Sequence, residues 1–148
     1  MFEMDRVCNM EMLKYSWQKV SAKGNCVGID NIDLSFYRSD LKRNLRSLQA
    51  AVSSGNYKPY TEKVFNHKNR EICISCVDDR IIQTALAEII MSAYVPPHHV
   101  HGFIKKRSVF TAKKSLDIAL LEGVSDLAKM DIKQFYNSID KSTMLKQN

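Results

Sequence analysis

Glycine and proline are scarce, five and three among 148 residues, which excludes collagen-like and low-complexity chains. The four cysteines, Cys8, Cys26, Cys73 and Cys76, are too few for a disulfide-dense miniprotein. No run approaches the roughly 20 apolar residues that a membrane span needs. The opening MFEMDRVCNM carries acids where a secretory leader has a basic end and an apolar stretch. The expectation is a cytoplasmic protein with no membrane partner. What remains is ordinary: at 45% apolar and 26% charged residues the chain reads as one globular unit. A chain of this length buries roughly 68–70% of its unfolded surface, enough for one sizeable core.

Charge is unevenly placed. The net charge is +6, yet residues 38–114 hold 14 basic and 6 acidic side chains while the remainder is slightly acidic. Such a middle can hold phosphates through counterion release, or it is a solvated basic surface; composition alone leaves both open. Cys73 and Cys76 form a Cys-x-x-Cys within the β-branched run ICISCV. Side chains three apart on a strand point to opposite faces, so the pair does not converge on an ion. His98, His99 and His101 follow two prolines with no cysteine at ligand spacing, so zinc is not expected.

Met10, Leu13, Trp17 and Val20 recur at helical spacing and Gly24 follows, predicting a helix over 9–23. After the turn-rich NCVGIDNID, Ser39 is expected to cap a helix with Leu41, Leu45, Leu48 and Val52 inward, Lys42, Arg43 and Arg46 outward, and Gly55 as its stop. EKVFNH and REICISC predict a hairpin over 62–67 and 70–76, turning at Lys68-Asn69. Asp78 or Asp79 is expected to cap the apolar helix that stops before Pro96. Ser108 begins a further helix with Ala112, Leu116 and Ala119 or Leu120 inward and Gly123 at its end. Residues 126–132 alternate as a strand does, and Asp140 starts a last helix.

In KMDIKQFYNSID, Asp131 falls at the end of that expected strand, with Phe135 and Tyr136 close behind. A carboxylate beside a backbone carbonyl suits Mg²⁺, which binds one or two protein carboxylates and takes its other ligands from phosphate and water. The residues alone also allow a plainer reading, in which Asp131 starts a turn or caps a helix. An aromatic beside a strand is ordinarily core packing, the role expected of Phe135.

Beyond this segment the chain resembles the bacterial reverse transcriptases, the group that includes group II intron maturases and retron enzymes. The matching pieces run in the family's order: Trp17, Val20 and Gly28-Ile29-Asp30; Asn44-Leu45 with Leu48; Gly55-Asn56-Tyr57-Lys58-Pro59; and Arg70-Glu71-Ile72. Next come Val77-Asp78-Asp79-Arg80-Ile81-Ile82-Gln83 with Ala85-Leu86, then His101-Gly102-Phe103 with Arg107-Ser108, and finally Asp131 through Asp140. The succession covers residues 17–145, most of the chain.

The resemblance implies an α/β (α+β) fold, part of a right-hand polymerase. Helical fingers with a β-hairpin would occupy residues 1–115, and the start of the palm with its first strand residues 116–148. It implies an RNA-directed DNA polymerase, a nucleotidyltransferase acting on an RNA template, a primer and deoxynucleoside triphosphates with Mg²⁺ as cofactor. Asp131 matches the family's first metal-binding aspartate, with the Ile132 carbonyl as a further ligand. Tyr136 matches the aromatic that packs against the incoming sugar. Arg70 matches the fingers arginine that meets the triphosphate, a role suited to a planar guanidinium; Lys68 assists it.

Arg80 and Gln83, one helical turn apart, fall in a stretch that supports the template side of the fingers in the family. For Arg80 an ion pair with a neighbouring acid stands beside nucleic-acid contact as an alternative. Lys105, Lys106 and Arg107 form a basic loop that either contacts template or nucleotide phosphate or is a solvated charge run.

The family also needs Tyr-x-Asp-Asp on a downstream hairpin. This chain ends 17 residues after Asp131 without it, and Asp78-Asp79 precedes the palm. One carboxylate does not hold two Mg²⁺ ions in reacting geometry. The expectation is an N-terminal part, inactive alone, that works with a C-terminal half carrying Tyr-x-Asp-Asp. The alternatives are a non-catalytic RNA-binding module derived from the fingers, and an inert remnant.

Overall fold

A computed structural model of the chain describes residues 4–68, 70–133, 135–140 and 142. The fold is helix-rich α+β with one two-stranded antiparallel sheet, and the backbone divides into two compact units at Val95/Pro96.

The first unit contains α1 (Met4–Val7), α2 (Met10–Ser21), α3 (Leu34–Ser39), α4 (Leu41–Ser53), β1 (Lys63–His67), β2 (Arg70–Ile74) and α5 (Val77–Ala93). Helix α2 starts where the Asn9 side chain accepts from the Glu11 N–H at 2.8 Å, satisfying a donor that the first helical turn leaves without a partner. Its Leu13, Trp17 and Val20 meet Leu45, Leu48 and Val52 of α4 and Val77, Ile81, Ile82, Ala85 and Ile89 of α5 in one core. Burial of each such aliphatic side chain stabilises the fold by roughly 1.5–3 kcal/mol. Gly24 and Gly55 follow α2 and α4 at φ +103° and +72°, a backbone conformation that side-chain-bearing residues rarely adopt.

Ser39 does not cap α4. It is the last residue of α3, a helix absent from the sequence reading, and its hydroxyl donates to the Phe36 carbonyl at 2.7 Å; Asp40 takes the cap position. Neither Asp78 nor Asp79 caps α5. Cys76 holds that position without a side-chain cap bond, and the two aspartates lie inside the first turn. The helix dipole favours negative charge there, an effect that burial outweighs at Asp78. Strand β1 pairs with β2 from Lys63↔Ile74 to His67↔Arg70, with Lys68 in the turn at φ +48°. At the base of the hairpin the Ser75 hydroxyl donates to Glu62 at 2.9 Å.

The second unit carries α6 (Val109–Leu121) and α7 (Phe135–Ser138). Thr111 accepts from the Ser108 N–H at 2.9 Å to begin α6, and Gly123 at φ +98° ends it. The expected inward stripe is not buried: Leu116 and Leu120 are 38% and 50% exposed, and no α6 residue is buried. Nor do residues 126–132 form the expected first palm strand. They belong to no sheet among the described residues, and Met130 is 90% exposed. Alternation makes a segment able to pair, but a strand exists only where a second edge supplies its hydrogen bonds. Phe135, expected in a core, opens α7 half-exposed. Asp140 accepts from the Ser142 N–H at 2.9 Å, as a helix start requires, while the remainder of the expected last helix lies outside the described residues. No helix among the described residues is long and apolar enough to cross a membrane.

Candidate nucleotide and nucleic-acid interface

Three of the motif segments meet at the start of α5. Asp79 is 3% exposed and accepts from the Tyr57 hydroxyl and, at 3.2 Å, from the Tyr60 N–H. That ties the segment after Gly55 to the Val77–Gln83 turn. Asp78 accepts from the Tyr37 hydroxyl at 2.6 Å, fastening α3 to the same turn. Gly28 supplies the third contact: a Cβ there would lie 2.8 Å from both the Cα and the Sγ of Cys76, so only glycine lets these backbones approach so closely. The Gly28 turn is closed by the Asn31 N–H bonding back to the Gly28 carbonyl and by Asp30 accepting from the Ile32 N–H at 3.1 Å.

Burial sets the electrostatics of this junction. Desolvation raises the Asp78 carboxyl above its ordinary value, with Asp79 and Asp30 adding to the rise and the Tyr37 hydrogen bond opposing it. Burial, reinforced by the neighbouring carboxylates, pushes both Tyr37 and Tyr57 above the usual phenol range. Both phenols therefore stay neutral donors at physiological pH. Asp79, with both oxygens engaged, is a structural anchor.

Arg80 is half-buried on the same turn. Its guanidinium donates to the Cys26 carbonyl at 2.7 Å, and among the described residues no ion pair to an acid is seen. Gln83 is exposed and donates to Ser75 at 3.4 Å, linking α5 to the hairpin base. Lys68 is exposed in the hairpin turn, and Arg70 begins β2 opposite His67. The side chains of Arg70 and Tyr136 lie outside the described set, as does all of Asn69. Cys73 and Cys76 are both free thiols, the first exposed and the second buried.

In the second unit Lys105 and Lys106 are exposed, Lys106 at φ +65°. Arg107 turns inward. Its guanidinium donates to the carbonyls of Pro96, Pro97 and Val100. His101 is held between Thr111 at 2.9 Å and Ser115 at 3.2 Å. Asp131 is exposed and Ile132 is 61% exposed. With the Ile132 carbonyl, Asp131 offers two of the hard oxygens that Mg²⁺ accepts. Among the described residues no group of three or more His, Cys, Asp or Glu side chains stands where it could hold a metal ion.

The acid–phenol pairs were missing from the sequence reading. Nothing in a single sequence links Tyr57 to Asp79 across 22 positions. The available signal was two adjacent acids opening an apolar helix, which reads equally well as a cap. Compared with known proteins, the chain matches no family model and no curated sequence.

Proposed function

We propose that residues 1–148 are the N-terminal part of an RNA-directed DNA polymerase of the bacterial reverse transcriptase kind, comprising the fingers and the start of the palm. The observation that carries this reading is that the motif pieces follow one another in the family's order. Three of them, around Gly28, Gly55–Pro59 and Val77–Gln83, also converge at the start of α5. In this reading the protein is cytoplasmic and acts on an RNA template with a primer. The hairpin presents Arg70, assisted by Lys68, to the nucleotide triphosphate, and Tyr136 packs against its sugar. Asp131 and the Ile132 carbonyl hold Mg²⁺, which when bound supplies positive charge to phosphate oxygens. Arg80 and Gln83 support the template side of the fingers, and Lys105, Lys106 and Arg107 meet phosphate from their loop.

These residues provide one catalytic carboxylate, so nucleotidyl transfer needs a second polypeptide or segment carrying Tyr-x-Asp-Asp. The test is primer extension on an RNA template with Mg²⁺. Product is expected when the chain is combined with a polypeptide bearing the rest of a bacterial reverse transcriptase palm, and from neither component alone. Absence of product with the palm supplied by the reading frame immediately downstream would overturn the proposal. Salt-sensitive RNA binding by the chain alone, weakened by Lys105→Ala with Lys106→Ala, would then favour a non-catalytic RNA-binding module.

A further inference from the structure

Helices α2 and α4 leave between them an open groove of about 520 Å³. Met10 and Leu41, partly exposed, form its apolar floor above the buried Trp17 and Leu45, and its edges are Lys14 and Gln18 on α2 and Lys42 and Arg46 on α4. Each edge pair is spaced four residues apart, one turn along its helix, so polar rows run down both sides of an apolar floor. Among the described residues no acidic side chain lines the groove. Lys14 has an exposed partner in Glu11 at 2.7 Å, a surface pair that water screens and a stronger acceptor displaces.

An occupant must bring apolar side chains to the floor and negative charge to the edges. RNA offers the charge, but its recognition without base pairing relies on exposed rings on which bases stack. Trp17 is 5% exposed, stacked on Tyr37 at 5.1 Å with the Arg38 guanidinium 6.0 Å from its ring, so no free aromatic face is offered. A helix with apolar residues at i, i+3, i+4 and i+7 and acids along both flanks meets both demands. We propose that the α2–α4 groove docks an acidic amphipathic helix of a partner protein. This inference stands apart from the polymerase reading and survives if that reading fails.

The chain's single tryptophan lies buried just beneath the groove floor, so its emission reports a change in its surroundings when the groove is filled. The full chain is titrated with a synthetic helical peptide of about 16 residues, near the shortest length that holds a helix in water. The peptide carries leucines at i, i+3, i+4 and i+7 with glutamates flanking them. A lysine-flanked version and a single-stranded RNA serve as comparisons. The acidic peptide is expected to change Trp17 emission and to bind less tightly as salt rises, while the lysine-flanked peptide does not bind. Lys42→Glu with Arg46→Glu, both at exposed positions, should weaken the acidic peptide by about tenfold or more and admit the lysine-flanked one. Failure of the acidic peptide to bind, equal binding to the double variant, or a Trp17 response to RNA and not to the peptide would each overturn the proposal.

Discussion

Tyr57→Phe tests the junction at the start of α5 while leaving the aromatic ring in place. Asp79 is 3% exposed and has two donors, the Tyr57 hydroxyl and the Tyr60 N–H. The substitution removes one donor and strands a carboxylate oxygen in the interior. A hydrogen bond to a charged group contributes about 1.5–3 kcal/mol, and this site, with no solvent to take over, belongs in the upper half of that range. For a unit of fewer than a hundred residues, that loss lowers Tm by on the order of 10 °C. Urea unfolding followed by Trp17 emission reports this unit alone, because the chain has no other tryptophan. Tyr60→Phe is the control: Tyr60 anchors through its backbone N–H and its side chain is 52% exposed. It should therefore stay within about 0.5 kcal/mol of the parent chain. A double-mutant cycle with Asp79→Asn should give a coupling of about 1–2 kcal/mol. If Tyr57→Phe costs no more than Tyr60→Phe, the junction does not hold the unit together and the reasoning is wrong.

Asp78 makes stability depend on pH. Its folded-state carboxyl is raised above its ordinary value near 3.8, so the stabilisation it provides is present below that value and lost as pH climbs through the raised one. Asp78→Asn keeps an acceptor for Tyr37, and the variant should gain on the parent in urea midpoint as pH rises above the ordinary carboxyl value; a pH-independent difference would contradict this. Gly28→Ala should destabilise by about 1–3 kcal/mol in the same assay, because the new methyl meets the Cys76 backbone at 2.8 Å. A neutral result would mean that the two segments are not packed as described. Arg107→Lys cannot span the carbonyls of Pro96, Pro97 and Val100. It should speed proteolytic cleavage within 96–107 without moving the Trp17 unfolding midpoint; unchanged cleavage would count against the inward clamp.

Helices α2, α4 and α5 are legible in sequence because their apolar residues recur at helical spacing, and α2 and α4 stop at glycines that the turns require, Gly24 and Gly55. The hairpin was legible for a similar reason, with Lys68 taking positive φ at the expected turn. Helix α3 escaped because six residues are too few to establish a period, although its start, with Asp33 accepting from the Phe36 N–H at 2.7 Å, uses an ordinary capping side chain. Residues 126–132 show the opposite failure. Alternation was present, but strand formation depends on a partner edge that local pattern does not specify. Of the candidate site, Arg80 and Arg107 were noticed as basic residues, yet both guanidiniums bond to backbone carbonyls within their own units. A run of charge reads the same in sequence whether its side chains face water or fold inward.

The central claim is tested most directly by Asp131→Asn in the combined primer-extension reaction. The substitution keeps the side chain's size and removes the negative charge proposed to bind Mg²⁺. The parent chain plus the Tyr-x-Asp-Asp polypeptide is expected to extend the primer, and Asp131→Asn, equally well folded, to yield no product. Extension by the variant at the parent rate would show that Asp131 is not the metal-binding carboxylate of a polymerase.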